Sequence, residues 1–334
     1  MIMRQRGNMM NNLRISTKFM VMALGLIAVI IMTISVSLVV VINIVLGDYM
    51  KNEVREKAEV LRQNAVTMEE KAALASSDLG NNQILVSLFR SGNRRGAAGF
   101  GNTLMKTIGF DYFVITDREG RVFVRAHAPE KYGDSVIGQL SVKKALRGEK
   151  SSGCEEGTAD RLIIKGTSPL FDNGRIIGSV SAGYILSNNA FPDEQKRLLG
   201  SDVTVFYGDE RMSTSLIADG KRLVGTKMEH KAILDTVIKN GQPFHGETTI
   251  QGKLFYTAYM PLKSDGNKIA GMLFIGKDAG VIRGLKLKLL GYQTVVLLVV
   301  CAIFMAVFYA VINGAILVRL GRLNKRFKDI AEGE

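Results

Sequence analysis

The sequence has almost no cysteine: two residues in 334, Cys154 and Cys301. Cys301 falls inside a long apolar run, so Cys154 stands alone in the polar part of the chain. No intramolecular disulfide can form there, even in a compartment that permits one. Histidine is as scarce, with three residues. That supply excludes a Cys-rich structural zinc site and a CxxCH haem attachment within the polar part. A Gly-x-Ser-x-Gly elbow, a His-Glu-x-x-His pair and a phosphate loop are also missing. The nearest approach to an acid pair is Glu155-Glu156, with Asp160 close behind. Adjacent residues of an extended chain point to opposite faces, so the two Glu are poorly placed to share one substrate. On a Gly-containing loop such a cluster reads as solvent-facing. No catalytic residue, metal ligand or cofactor is assigned, and no enzymatic activity is expected.

Charge is missing from two long stretches. Phe19–Gly47, between Lys18 and Asp48, and Leu289–Val318, between Lys288 and Arg319, contain no charged residue. Each exceeds the ~20 apolar residues that a helix needs to cross a bilayer. The first is too long for a signal-peptide core of ~7–15 residues, and bulky Ile44-Val45-Leu46 offers no small-x-small cleavage pattern. Acid is absent from the leading tail, which carries Arg4, Arg6, Arg14 and Lys18. The segment after the second run opens with Arg319, Arg322, Lys325, Arg326 and Lys328. Basic flanks stay in the cytoplasm. The expected topology is a multi-pass protein of the inner (plasma) membrane, with both tails cytoplasmic and residues 48–288 outside. The formal charge of +13 does not call for nucleic acid. Residues 48–288 hold 35 Lys and Arg against 28 Asp and Glu, a modest field that suits an anionic small solute or nothing in particular.

What is present is periodic. Val54, Ala58, Leu61, Ala65, Met68, Ala72, Ala75 and Leu79 repeat at 4-3-4-3 spacing, a heptad seam on a stalk helix over residues 48–91. The seam suits packing on its own domain and packing in a homodimer equally. From about residue 110 strands take over. Tyr112–Thr116 and Arg121–Arg125 flank the turn Asp117-Arg118-Glu119-Gly120. Ser141–Arg147 reads as a short helix, and Arg161–Leu170 with Arg175–Leu186 as a hairpin around Asp172-Asn173-Gly174. The order then repeats: strands at Val203–Tyr207 and Arg211–Ile217, a helix at Lys231–Lys239, and a hairpin of Leu254–Leu262 with Lys268–Gly276. Pro169 aligns with Pro261, Gly178 with Gly271 and Gly183 with Gly276. After the second run Leu320, Leu323, Phe327 and Ile330 start another seam on a basic helix.

Together these features resemble the double-Cache sensor region of bacterial methyl-accepting chemotaxis receptors. Val114–Gly120 resembles the Cache hairpin with its Asp-x-x-Gly turn, and Arg125–Ser135 a segment frequent in chemoreceptor Cache domains. Pro169–Gly178 and Pro261–Gly276 resemble the closing hairpins. Phe327–Glu334 is similar to the first helix of a HAMP relay. The resemblance implies an α+β fold: two tandem Cache (PAS-like) modules with antiparallel sheets and a long N-terminal stalk helix, between two transmembrane helices. The expected layout is a tail (1–18), a first span (19–47) and the stalk (48–91). A membrane-distal module (92–190) and a membrane-proximal module (191–280) follow. A connecting helix (281–288), a second span (289–318) and the start of the HAMP-like helix (319–334) complete it. The resemblance also implies a chemosensory receptor that signals through the second span to cytoplasmic partners. A histidine kinase or cyclase output is the alternative, and an anchored enzyme or structural anchor the rival of another class.

Within that frame the residues favour a carboxylate ligand. Arg125 and His127 end a hairpin strand, and Arg161 and Lys165 lie on or near a strand that can face it. A guanidinium grips a carboxylate with two parallel bonds. Citrate- and dicarboxylate-sensing Cache domains use a similar Arg-x-x-His stretch, and here His127 lies one place nearer its Arg. Ser141 opens a helix whose backbone N–H groups suit an anion, or simply caps it. Arg211, Tyr256 and Tyr259 are the candidates in the second module. A solvated strand face is the competing reading for Arg125 and Lys165, and a structural histidine for His127.

Overall fold

The computed structural model describes residues 15–266 and 268–311. The seam from Leu320 to Ile330, and with it the HAMP-like segment, lies outside these residues. The chain divides into two units, one of Met1–Asp48 with Gly280–Glu334 and one of Tyr49–Ala279.

The first unit contains the two apolar helices. Helix α1 (Ile15–Leu79) includes the first run, and α7 (Gly280–Val311) unites the expected connecting helix with the described part of the second. Both are long and apolar enough to cross a membrane. Large apolar side chains such as Ile30, Val36, Leu298 and Phe304 are exposed along them. Gln293 Nε2 donates to the Ser35 carbonyl at 3.5 Å, joining the two helices.

The second unit is built on the heptad seam. Val54, Ala58, Leu61, Ala65, Ala72 and Leu79 are buried within the protomer, so the seam needs no second chain to cover it. The helix ends at Leu79 rather than near residue 91. Gly80-Asn81-Asn82 breaks it, and the Asn82 side chain caps α2 (Gln83–Arg90) by accepting from Leu85 N at 3.0 Å. Helix α3 (Arg94–Ile108) follows, capped by Asn93 and closed by left-handed Gly109.

Two five-stranded antiparallel sheets follow. The first contains β1 (Tyr112–Asp117), β2 (Val122–Arg125), β3 (Ser151–Glu155), β4 (Ile163–Asp172) and β5 (Arg175–Ile185), in the order β2-β1-β5-β4-β3. Helix α4 (Leu140–Leu146) separates β2 from β3. Helix α5 (Ala190–Leu199) leads to β6 (Asp202–Tyr207), β7 (Glu210–Thr214) and the small ribbon β8 (Ile217–Ala218) and β9 (Lys221–Arg222). Helix α6 (Lys231–Ile233) continues as the π turn Leu234–Lys239, ahead of β10 (Phe244–Ile250), β11 (Lys253–Lys263) and β12 (Ile269–Asp278). The second sheet is ordered β10-β11-β12-β6-β7. Within each sheet the third, fourth, fifth, first and second strands run side by side, so the sequence repeat is a repeat of topology.

The repeated landmarks have a physical reason. Gly178 pairs with Asp117 and Gly271 with Tyr207, each across the pair that joins the last strand of its sheet to the first. A Cβ on Gly178 would fall well inside contact with the Thr116 carbonyl oxygen, and one on Gly271 would meet the Phe206 carbonyl oxygen in the same way. Asn173 and Gly174 both take positive φ, which gives the β4–β5 hairpin the turn that its strand twist requires.

Candidate ligand sites in the two modules

In the first module strands carry Arg125 and Lys165; of the acids that meet the basic cluster, Glu155 ends strand β3, and Asp134 and Asp160 lie on the segments outside the sheet. Arg125 ends β2 and is only 3% exposed. Its guanidinium forks onto Asp134, Nη1 to Oδ1 at 2.6 Å and Nη2 to Oδ2 at 2.7 Å. It also donates to the Lys131 carbonyl and to Thr158 Oγ1, both at 2.9 Å. Lys165, on β4 and 1% exposed, donates to Gln139 Oε1 at 2.5 Å and pairs with Glu155 at 3.1 Å. Its ammonium lies 5.9 Å from the ring of buried Tyr112. The His127 ring stacks on Tyr112, accepts from Phe113 N through Nδ1 at 3.3 Å, and turns Nε2 to Asp160 Oδ2 at 3.1 Å. The accepting role of Nδ1 leaves the ring proton on Nε2, facing the carboxylate.

Ser141 is turned inward. Its backbone N–H and its hydroxyl both donate to Glu155. The anion at this helix start is the chain's own carboxylate, and the N-cap position belongs to Gln139. Glu155, expected on a solvent-facing loop, closes strand β3 and pairs with Ile163 across β4. Asp160 and Glu156 likewise have partners, the latter accepting from Tyr207 Oη at 2.8 Å. Local spacing carries no trace of these pairings, because each joins segments distant in sequence.

Arg161 departs from the expected cluster. Its side chain is 55% exposed and forks onto Glu210 of the second module at 2.9 and 3.1 Å. Lys144 reaches Asp265 across the same junction at 2.8 Å. A cavity of about 930 Å³ opens there, lined among others by Gln139, Glu155, Thr158, Tyr207, Glu210 and Asp265. Cys154 also borders it, and burial pushes its thiol up and keeps it protonated.

The internal pairing sets the electrostatics. The Arg125 fork holds the Asp134 carboxyl below the usual carboxylate range. Burial works to raise Glu155, but the charge of Lys165 and the bonds from Ser141 and Lys165 outweigh it and lower it overall. Both acids are therefore lower in the folded state than in the unfolded chain. Their contribution is fully present above about pH 4 and is lost as pH falls through their folded values. The expected melting temperature of the full chain in nanodiscs is flat from pH 7 to about 5 and declines below about pH 4. Asp134→Asn should remove part of that decline, and a pH series of thermal melts checks it.

The second module is arranged differently. Arg211 on β7 is 9% exposed and has no carboxylate partner among the described residues. Nη1 donates to Thr226 Oγ1 at 2.6 Å, and the guanidinium lies 5.1 Å from the Phe206 ring centroid. Tyr259 on β11 is buried near it, and that burial pushes its phenol up to about 12. Arg211 and Tyr259 line one cavity of about 580 Å³. Tyr256, three residues before Tyr259 on the same strand, falls on the opposite face and pairs across to Glu247 of β10.

Residues 184–286 match the family model for single cache domain 3. The sensor domain of the V. cholerae histidine kinase DctB is similar at 12% identity and a TM-score of 0.49, over 69% of this chain and 98% of that one. The sensory domain of the Campylobacter jejuni chemoreceptor Tlp3, solved with isoleucine bound, is similar at 13% identity and a TM-score of 0.45, over 73% and 97%. The E. coli DcuS sensor domain reaches 20% identity and a TM-score of 0.35, over 40% and 98%. No curated protein matches the sequence. The α+β class expected from the sequence is the one found: Cache/PAS-like antiparallel sheets, a long N-terminal helix, and at each end a helix able to span a membrane.

Proposed function

We propose that this chain is the sensing half of a transmembrane receptor, a double-Cache region that binds a small solute outside the membrane and signals through α7. The observation that carries the reading is the clasp in the first module. Arg125, His127 and Lys165 on or beside the sheet each hold a carboxylate, from Asp134, Asp160 and Glu155 respectively. Such pairs exchange with a charged solute without stripping any group of a partner. The solute's carboxylate takes up Arg125 or Lys165, and the released internal carboxylate takes up the solute's ammonium.

Charge balance selects the ligand class. Two permanent cations already face three carboxylates, so a pure organic acid anion would add to an excess of negative charge around the buried Arg125 and Lys165. A zwitterion leaves the balance unchanged. The favoured solute is therefore of the amino acid type, whereas the sequence alone suggests an organic acid. Ligand energy biases two signalling states only through different affinity for them. The covering segments that hold Asp134 and Asp160 are the parts that differ between bound and free clasp. The reading keeps a homodimer in the inner membrane and a HAMP relay beyond residue 318, with a chemoreceptor, kinase or cyclase output.

The full chain in nanodiscs should be stabilised by at least one of the common L-amino acids in a thermal-shift screen, and by succinate far less. Arg125→Gln should abolish the shift. Stabilisation by none of the amino acids, or an equal shift in Arg125→Gln, would sink the proposal.

A further inference from the structure

The two buried arginines of the sensor unit are matched in depth and opposite in circumstance. Arg125 has a carboxylate on its fork. Arg211 has one hydroxyl on Nη1, and its Nε, fully enclosed, has no hydrogen-bond partner among the described residues. Burial lowers the Arg211 pKa, and among the described residues only the Tyr259 phenol, not a carboxylate, acts to restore it. A guanidinium remains charged in proteins, so the site holds a desolvated cation with an idle donor. An orphaned buried donor costs stability and calls for an explanation, and so does a buried charge without a counter-ion.

The cavity beside it supplies one. At about 580 Å³ it is within the size range of small-molecule sites. Arg211, Tyr259 and Thr248 form a polar end, and Leu223, Met228, Ile233 and Ile250 form apolar walls. The other titratable side chains of the lining, Lys227, Glu229 and His230, are exposed, the first two opposite in sign. The buried charge to be matched is therefore a single positive one.

We propose that the second module holds a binding site of its own, in which Arg211 receives the carboxylate of a small monocarboxylic acid whose short apolar tail lies on Leu223, Met228, Ile233 and Ile250. A neutral ligand would leave the guanidinium uncompensated. A dicarboxylate would press its second charge against the apolar walls. This site is independent of the clasp in the first module and carries different chemistry: one cation with no carboxylate partner among the described residues, in place of a set of cations that each hold an internal carboxylate.

The test is a thermal-shift titration of the full chain in nanodiscs with propionate, butyrate, succinate and propionamide. Propionate and butyrate should raise the melting temperature by roughly 5–10 °C at a hundredfold excess over Kd. Succinate and propionamide should not. Arg211→Gln removes the buried charge while keeping polar atoms. It should melt at or above the wild-type temperature without ligand, and should lose the propionate shift. Arg211→Lys keeps the charge without the fork and should weaken propionate about 30-fold. Arg125→Gln should leave the propionate shift intact, which separates this site from the first. The proposal is overturned if neither monocarboxylate shifts the wild type, if succinate binds as well as propionate, or if the shift survives Arg211→Gln. It is also overturned if ligand-free Arg211→Gln melts well below the wild type, since Arg211 would then be structural.

Discussion

Lys165→Met should lower the stability of the Tyr49–Ala279 unit by about 3–5 kcal/mol, the cost of breaking a buried ion pair from one side. Lys165 is 1% exposed and its partner Glu155 only 18%, so solvent can do little to replace the lost charge. The substitution strands Glu155 beside Ser141 and leaves Gln139 Oε1 without its donor. Adding Glu155→Gln should recover most of the loss. Gln removes the stranded charge; its one amide oxygen accepts from the Ser141 N–H, and its NH2 can donate to the Ser141 hydroxyl oxygen in place of the bond it received. Replacing both charges of a buried pair is commonly near neutral, whereas removing one is not. A double-mutant cycle from urea melts of the full chain in nanodiscs measures the coupling. If the double variant loses as much as Lys165→Met and Glu155→Gln added together, the pair carries no stabilising interaction.

The second large effect tests the duplication. Gly178→Ala and Gly271→Ala should each cost about 3 kcal/mol, because the new Cβ meets a backbone carbonyl in the neighbouring strand, which cannot rotate away. Equal effects at two positions 93 residues apart are what a repeated close approach of backbones implies. Gly138→Ala, with open space around its Cβ, should stay within about 0.5 kcal/mol of wild type. The same urea melts check all three. A mild Gly271→Ala beside a severe Gly178→Ala would show that the two glycines do different work.

How much of this was legible in the sequence follows from the range of each interaction. Apolar runs, heptad spacing and the Asn173-Gly174 turn are local patterns, and they appear in the structure as the apolar helices, the buried seam of α1 and the β4–β5 hairpin. The alignment of Gly178 with Gly271 was visible because a close backbone approach tolerates only glycine. Strand β10 was missed. Phe244–Ile250 reads His-Gly-Glu-Thr-Thr at its centre, with one face exposed, so its alternation is weak and its Gly and Glu argue against a strand.

The site residues divide in the same way. Basic strand residues were identifiable by type, and Arg125, His127 and Lys165 do come together around Tyr112. Their acid partners were not identifiable. Glu155 lies 10 residues from Lys165, and Asp160 33 from His127. Only the fold decides that Arg161 turns to Glu210 while Arg211 has no carboxylate partner among the described residues. That difference changes the chemistry expected of each module, from free cations in the first to a clasp of internal ion pairs there, and in the second a guanidinium with no carboxylate partner among the described residues.

The central claim is that the first module recognises a charged solute through its clasp. Calorimetric titration of the amino acid giving the largest thermal shift into wild type, Arg125→Gln and Arg211→Gln, all as full chain in nanodiscs, tests it most directly. The account expects Arg125→Gln to weaken binding about 30-fold or more and Arg211→Gln to bind as wild type does. Wild-type affinity in Arg125→Gln, with binding lost in Arg211→Gln, would contradict it.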